Sequence, residues 1–377
     1  MEAFDKVFVA PEFLTDDPHG SEIGCTACHG GDETTMDRFA AHEGLIKDPS
    51  QNPEEFCTPC HQEIASNYVK TVHTDVHGLK EILMRRAESL TGEKLEQFQQ
   101  AYDNHCATCH VSCADCHVRR PAPGFYGLLD KHFFKKTPSF VLNCTLCHGS
   151  RIGDEFGGKI EGYQPDVHWA ENKMKCMDCH AADELHGDGH YYETRYDVAN
   201  APDCVDCHPN LGSSDDNEFH RKHLPDGTEF VGKSLACQVC HSQAYRNCSN
   251  CHVGIDSEGL KYFKTDEPFV AFKIAKNIWK DERHPYDYVV VRHPPVSPDL
   301  FAFYGDDLLP DFDDEPTWKL ATPHNIATIT PRTEEGCNSC HGVADWFLSE
   351  GDAGVDESAA NEQLLVNPPA PVGKADK

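Results

Sequence analysis

The chain has little apolar sequence and little basic charge. Only 39% of its 377 residues are hydrophobic, and no apolar stretch approaches the ~20 residues that a membrane-spanning helix needs. Its 33 Lys and Arg stand against 63 Asp and Glu, a formal charge of -30, which disfavours binding to nucleic acid or to anionic lipid. The 27 Gly and 24 Pro predict many turns and few long elements.

Cysteine, in contrast, is abundant and follows one pattern. All 20 Cys fall in Cys-x-x-Cys pairs, and a His directly follows each pair. No Cys is left for a disulfide or a free thiol. The ten motifs are Cys25, Cys28 and His29; Cys57, Cys60 and His61; Cys106, Cys109 and His110; Cys113, Cys116 and His117; Cys144, Cys147 and His148; Cys176, Cys179 and His180; Cys204, Cys207 and His208; Cys237, Cys240 and His241; Cys248, Cys251 and His252; and Cys337, Cys340 and His341.

Cys-x-x-Cys-His is the attachment signature of c-type haem. Two thiols three positions apart can add to two vinyl groups on one edge of a porphyrin, and the adjacent His then reaches the iron from one face. Zinc ribbons and redox dithiols also use Cys-x-x-Cys, but neither chemistry requires a His directly after each pair. The sequence therefore predicts ten covalent haem c groups, with the ten motif His as proximal iron ligands.

The remaining His are numerous enough to bind the opposite face of each iron. Fourteen of the 24 His lie outside the motifs, whereas the chain has only five Met. We therefore predict mainly bis-His ligation and low potentials, because Met ligation raises the potential. The predicted distal ligands are His19, His42, His73, His77, His132, His168, His186, His220, His223 and His324. His105, His190, His284 and His293 rank lower, and the ranking of His293 is the most open to revision.

Two pairs of motifs lie very close in sequence. Two residues separate the motif ending at His110 from the one starting at Cys113, and six separate His241 from Cys248, whereas the other gaps run from 23 to 84 residues. The seven residues from His110 to His117 span at most ~25 Å when fully extended. These two pairs of motifs are therefore predicted to hold their haems closest together.

Regular secondary structure is predicted only in short pieces. Residues 62–72 and 79–104 favour helices, and 269–272 and 288–291 look like strands. The predicted fold class is mainly irregular, with short α-helices, little β structure and a haem core. It includes a small β-containing insert near 253–336 that would carry no haem. Residues 1–347 are expected to form one continuous haem-carrying body, and 348–377 an extended or disordered tail.

The motifs resemble the multihaem c-type cytochrome superfamily over about residues 19–341. Segments 144–149, 185–189 and 321–326 look like parts of large periplasmic or extracellular electron-transfer cytochromes of bacteria and archaea. The resemblance implies export, haem attachment outside the cytoplasm and a role in anaerobic or extracellular respiration. Some similar members polymerise into conductive filaments. The first residues, 1–5, lack the basic and apolar regions of a signal peptide, so an export signal would lie outside this numbering.

The leading functional hypothesis is an electron carrier without enzymatic activity. Its partners would be redox proteins, extracellular acceptors or further copies in a homopolymer, with no nucleic acid and no membrane span. The sequence does not decide between a discrete shuttle and a filament subunit. The alternative is a multihaem reductase of a small nitrogen or sulfur compound, which requires one haem with an open site and charge-donating side chains nearby. A structural zinc protein is the third hypothesis.

Overall fold

The structure is a computed structural model that describes residues 8–74, 76–121, 127–129, 131–209, 211, 216–223, 234–354 and 357–373. Its α-helices are short, and only one exceeds nine residues. They span Phe13–Asp16, Thr26–His29, Arg38–Ala41, Pro53–Phe56, Gln62–Tyr68, His77–Arg85, Gly92–His105, Cys113–His117, Thr145–His148, Asp154–Phe156, Val167–Ala170, Cys176–Cys179, Ala182–His186, Cys204–Cys207, Glu218–His223 and Cys237–His241. Single turns of 3₁₀ or π-helix lie at His19–Ile23, Pro49–Gln51, Ala107–Cys109, Phe140–Cys144, Gly149–Gly153, Phe312–Asp314, Cys337–Ser339, Ala344–Trp346 and Ala359–Leu364.

The strands are concentrated between residues 245 and 320. They are β1 Tyr245–Asn247, β2 His252–Ile255, β3 Lys261–Lys264, β4 Phe269–Ala271, β5 Lys273–Lys276, β6 Tyr288–Arg292 and β7 Lys319–Leu320. These seven strands pair antiparallel, with β1 against β4, β2 against β3, and a three-stranded sheet in the order β5-β6-β7. The fold is thus mainly irregular, with short helices and short sheets.

The helix predicted over 79–104 is interrupted. The structure has one helix at His77–Arg85 and another at Gly92–His105. Between them Thr91 is extended, with φ -142° and ψ 161°, and Gly92 has φ +59°, a left-handed conformation that glycine adopts readily. Among the described residues no helix is both long and apolar enough to cross a membrane.

The chain divides into two compact units. Unit 1 comprises Met1–Glu81, Ala107–Ser150 and Lys175–Ala201, and unit 2 comprises Ile82–Cys106, Arg151–Met174 and Pro202–Lys377. The single body expected over 1–347 is therefore subdivided, and each unit is built from three separate stretches of sequence. Six motif His lie in unit 1 and four, His208, His241, His252 and His341, lie in unit 2.

Unit 2 has an apolar core around β5 and β6. Ile274, Val289, Val290 and Val291 are at most 1% exposed. The described tail residues 357–373 contain the 3₁₀-helix Ala359–Leu364, have no regular secondary structure beyond it, and pack on this core: Leu364 is fully buried, and the Val366 amide donates to the Leu348 carbonyl at 3.1 Å. The tail therefore contributes to the folded unit 2.

Candidate haem attachment and iron-ligand sites

Many of the motifs begin a short helical turn. Three of them carry an Asp just before the second Cys, namely Asp115, Asp178 and Asp206. Each carboxylate accepts the backbone N–H of the residue that precedes its motif, at 2.9, 2.7 and 2.9 Å respectively. This hydrogen bond satisfies an amide at the start of the helix. In a helical turn, positions i, i+3 and i+4 share one face, so both Cys and the His point to the same side.

All 20 Cys are described, and no two of them form a disulfide. Cys251 is buried, and the other 19 Cys residues are partly or fully exposed.

Seven motif His each face one His from outside the motifs. The ring centroids lie 5.9–6.3 Å apart in every case. The pairs are His61 with His19, His29 with His132, His148 with His73 and His117 with His186 in unit 1, and His208 with His168, His241 with His220 and His341 with His223 in unit 2.

This spacing is the one that two axial imidazoles require. An imidazole nitrogen binds a metal ion at about 2.0–2.1 Å, and each nitrogen lies about 1.1 Å from its ring centre, so two rings on opposite sides of one metal ion have centroids about 6.3 Å apart. A single contact of this length is ordinary for aromatic rings. Seven, each between one motif and one non-motif His, are a consistent pattern that fits haem iron.

The other ring nitrogen of several His is fixed by a hydrogen bond. The Nδ1 atoms of His220 and His241 lie 2.8 Å from the Asp216 carboxylate and 3.1 Å from the Ala327 carbonyl. In a second pair, Nδ1 of His223 lies 2.8 Å from the Phe219 carbonyl. Carbonyls and carboxylates only accept, so each Nδ1 donates and Nε2 keeps the lone pair that a metal needs.

Further His of the seven pairs are oriented in the same way. The Nδ1 atoms of His29 and His117 lie 2.7 and 2.6 Å from backbone carbonyls. Those of His19 and His168 each lie 2.9 Å from the Asp two residues earlier, Asp17 and Asp166. The Asp-x-His spacing is the signal by which sequence reasoning could have found these two carboxylates.

The tail holds the last motif in place. The Ala370 carbonyl lies 3.3 Å from Nδ1 of His341, and the Gly342 amide donates to the Pro369 carbonyl at 2.8 Å. Gly342 has φ +83°, and a Cβ there would lie 2.6 Å from Pro371 Cγ. Only glycine therefore fits directly after His341.

Burial keeps several of the paired rings neutral, which is the form that binds a metal. Burial, and then the nearby rings of His148 and His180, lower the pKa of His73 to about 4. Burial is also the main cause that lowers the pKa of His132, His148, His186 and His241.

Three predicted distal ligands have other contacts. His77 is 2% exposed, and its Nε2 lies 2.7 Å from the Tyr192 carbonyl. Exposed His42 has Nδ1 2.6 Å from the Arg38 carbonyl, and Nδ1 of His324 lies 2.8 Å from the Thr322 carbonyl. The structure thus brings seven of the ten predicted distal His to a motif His. His42 and His324 are hydrogen-bonded through Nδ1, as is His223 among the paired His, whereas His77 is hydrogen-bonded through Nε2.

The four lower-ranked His also have polar partners. Buried His105 has Nε2 2.8 Å from the Tyr304 hydroxyl, and His190 and His284 contact Asp188 and Asp281. His293, 3% exposed, has Nδ1 2.7 Å from the Cys248 carbonyl and Nε2 2.7 Å from the Glu357 carboxylate. Both ring nitrogens of His293 therefore have an acceptor within hydrogen-bond distance, and neither is directed at a motif His.

The three remaining motif His lie near polar groups. Nε2 of His110 lies 2.9 Å from Gln51 Oε1, Nδ1 of His180 lies 2.9 Å from the Glu184 carboxylate, and Nδ1 of His252 lies 3.8 Å from the Asp299 carboxylate. Within the described part of the chain, no cluster of three or more His, Cys, Asp or Glu is arranged to hold a metal ion. The His pairs offer two ligands each, which suits an iron whose other four ligands come from a porphyrin.

Comparison with known proteins adds nothing to this picture: no protein-family model, no curated protein and no solved structure matches the chain.

Proposed function

We propose that this protein is an electron-transfer protein that carries ten covalently attached haem c groups, mainly bis-His and low in potential. The observation that carries the proposal is the combination of ten Cys-x-x-Cys-His motifs with seven motif His that each face a second imidazole at 5.9–6.3 Å. Neither the motifs nor the His pairs have an equally simple explanation in a protein without haem.

The chain's residues divide the work of such a site. The two Cys of each motif would attach the porphyrin, and the motif His would bind one face of the iron. The seven paired non-motif His would bind the other face, oriented by their Nδ1 hydrogen bonds. Bound haem supplies an iron atom that accepts and releases one electron.

Two measurements on the purified protein test the proposal. A covalent haem stain and the mass of the intact chain should show ten haems. Electron paramagnetic resonance should show low-spin iron for at least the seven paired positions, and redox titration should place them at low potential. A chain that is exported in a haem-attaching host and still carries free thiols would contradict the proposal.

Individual His pairs can be tested with matched variants. His186→Met should convert one haem to His–Met ligation and raise its potential, because thioether ligation favours ferrous iron. His190→Met is the control, since His190 contacts Asp188 and is exposed. Equal spectra for the two variants would remove His186 from the ligand set.

We further propose anaerobic or extracellular respiration as the setting, with export before haem attachment and with redox proteins or extracellular acceptors as partners. Electron microscopy of native material distinguishes a discrete carrier from a conductive filament.

A reductase of a small nitrogen or sulfur compound is the second candidate. It would use an iron with an exchangeable site, and the positions to examine are His110 and His252, whose ring contacts in the described residues include no second imidazole. Carbon monoxide binding to the reduced protein, followed by turnover assays with nitrite, hydroxylamine and tetrathionate, separates the two functions.

A further inference from the structure

The structure brings attachment Cys of different motifs into contact. In three cases the first Cys of one motif lies beside the first Cys of another: Cys57 with Cys113, Cys144 with Cys176, and Cys204 with Cys237. Both members of each pair lie in the same unit. These pairings differ from those expected from the shortest gaps in the sequence.

From these contacts we infer that six motifs form three composite sites, each of which holds two haems with their thioether edges side by side. The sites combine motif 57–61 with 113–117, motif 144–148 with 176–180, and motif 204–208 with 237–241. This inference rests on the proposed function, and it specifies which haems are direct neighbours.

The first composite site skips a motif. Motif 106–110 lies between its two members in sequence and only two residues from Cys113. Hydrogen bonds nevertheless join the segments around motifs 57–61 and 113–117: the Ser50 hydroxyl donates to the Ser112 hydroxyl at 2.8 Å, and the Tyr68 hydroxyl donates to the Val111 carbonyl at 2.5 Å. Since Ser112 immediately precedes Cys113, these bonds hold Cys113 close to the segments that flank motif 57–61.

The second composite site shares an imidazole environment. The ring of His73 faces the motif ring of His148 at 6.3 Å, and His180 is close enough to help lower the pKa of His73. The helix Cys176–Cys179 also packs on the turn Phe140–Cys144. Two motif His and two first Cys therefore converge on one small region.

The third composite site lies in unit 2. The side-chain amide of Gln238, the residue after Cys237, lies 4.0 Å from Cys204 Sγ, and the Tyr286 hydroxyl hydrogen-bonds to the Cys237 sulfur. Each first Cys of this site therefore has a polar neighbour, Gln238 for Cys204 and Tyr286 for Cys237.

The attachment chemistry is compatible with neighbouring thiols. Each thiol adds across one vinyl double bond, so that a sulfur–carbon bond forms and the thiol hydrogen passes to the other vinyl carbon. The addition needs no external oxidant or reductant. Two porphyrins attached to neighbouring sulfur atoms would lie with their edges close together. Reduction of one haem would then oppose reduction of the other by charge repulsion.

Other Cys of different motifs also lie near one another, and these contacts connect the composite sites to each other and to further motifs. In unit 1, Cys116 of motif 113–117 lies near Cys147 of motif 144–148. Cys28 of motif 25–29 lies near Cys57 of motif 57–61. In unit 2, Cys240 lies near Cys340 of the last motif. The neighbours in unit 1 then run from motif 25–29 through motifs 57–61, 113–117 and 144–148 to motif 176–180, and Cys109 also lies near Cys147. Those in unit 2 run from motif 204–208 through motif 237–241 to motif 337–341.

The test uses the haem-loaded protein and a spectroscopic marker. His186→Met, at the non-motif His that faces His117, gives the haem of motif 113–117 a Met ligand, with a distinct charge-transfer absorption band and a raised potential. In this background Cys57→Ala/Cys60→Ala removes the proposed neighbour, while Cys106→Ala/Cys109→Ala removes the haem that is closest in sequence. A haem count of nine verifies each deletion.

We expect the midpoint potential of the marker to shift more when the haem of motif 57–61 is removed than when that of motif 106–110 is removed. An equal or larger shift in the second case would overturn the inference for this site. The third site is tested independently with His220→Met, at the non-motif His that faces His241, as marker, Cys204→Ala/Cys207→Ala as the neighbour deletion and Cys248→Ala/Cys251→Ala as the sequence-neighbour control.

The two levels of the proposal fail in different ways. A wild-type protein without haem would refute the proposed function itself. A protein with ten haems whose markers respond to the sequence neighbours would retain the function and refute only the composite sites.

Discussion

Unit 1 and unit 2 are stabilised by different interiors. Among the described residues of unit 1, the buried apolar side chains are few, namely Ala10, Phe13, Ala65, Tyr68 and Val118. Unit 2 buries a continuous apolar core that includes Phe98, Ile274, Val290, Phe301 and Leu348. Yet unit 1 has six of the ten motif His. The unit with more predicted haem sites is therefore the unit with less apolar side-chain core.

Polar groups occupy much of the remaining interior of unit 1. Asp115 is 2% exposed and accepts from Ser112 and from Arg119, whose Nε lies 2.9 Å away. The Asn143 amide donates to the carbonyls of Asp115 and Arg119 at 2.7 and 2.9 Å. Such a network is well satisfied, but it removes little apolar surface from water. Under the proposed function, porphyrin supplies the apolar surface that unit 1 lacks.

The largest effect is expected when haem attachment is prevented. In a chain produced without the attachment machinery, amides of unit 1 should lose hydrogen-exchange protection by a factor on the order of 100 or more, while those of β5 and β6 retain most of theirs. The reason is that Val289 to Val291 are buried against other side chains. Mass-spectrometric exchange on both forms measures this. Protected unit 1 amides in the haem-free chain would show that unit 1 has a sufficient core of its own.

The polar interior of unit 1 can be broken at one residue. Arg119→Ala should reduce the free energy of unfolding by about 3–5 kcal/mol, the usual cost of leaving a buried partner charge uncompensated. Arg119 contacts both Asp115 and Asp48, at 2.9 and 2.7 Å. Denaturant unfolding checks this, with exposed Arg38→Ala as control. A loss no larger than that of the control would mean that the network contributes little to stability.

The apolar interior of unit 2 should respond to a cavity instead. Ile274 is 1% exposed, so Ile274→Ala should cost about 3 kcal/mol through lost transfer energy and the space left behind. Ile64→Ala in unit 1, where the side chain is 48% exposed, should cost less than about 0.5 kcal/mol. Similar losses for both variants would remove the contrast between the units.

A single carboxyl should make unit 2 sensitive to pH. Burial raises the pKa of Glu155 from its ordinary 4.5 to about 7, despite a hydrogen bond from the His324 amide and the nearby Arg151 and Arg246. The folded state then binds more protons at this site, so the contribution of Glu155 to the free energy of unfolding is largest below pH 4.5 and falls as pH rises to about 7.

Glu155→Gln should remove this dependence. The variant should be more stable than the wild type by at most about 3 kcal/mol above pH 7, and equally stable near pH 4. Denaturant unfolding at several pH values measures the difference, with exposed Glu161→Gln as control. A difference that does not change with pH would show that the Glu155 carboxyl stays ionised in the folded state.

The local features were the most predictable from sequence. The short fold elements, the β structure near 253–336 and the helices within 62–72 and 79–104 follow from patterns that neighbouring residues determine. The interruption at Thr91 and Gly92 is also local, since glycine readily adopts the left-handed conformation found there, but the predicted helix over 79–104 ran through it. The packing of the tail residues Leu364 and Val366 does not follow from local patterns, because it depends on contacts far away in sequence.

The candidate site divides in the same way. The spacing of Cys and His along the sequence was enough to identify the ten Cys pairs and the His that follows each, since covalent attachment requires fixed spacing along the chain. The count of His showed the surplus of other His. It could not select His132 to face His29, or bring Cys57 to Cys113, because 50 or more residues separate each of these pairs. Only the tertiary structure brings such residues together. It thereby decides which imidazole faces which motif and which motifs are neighbours.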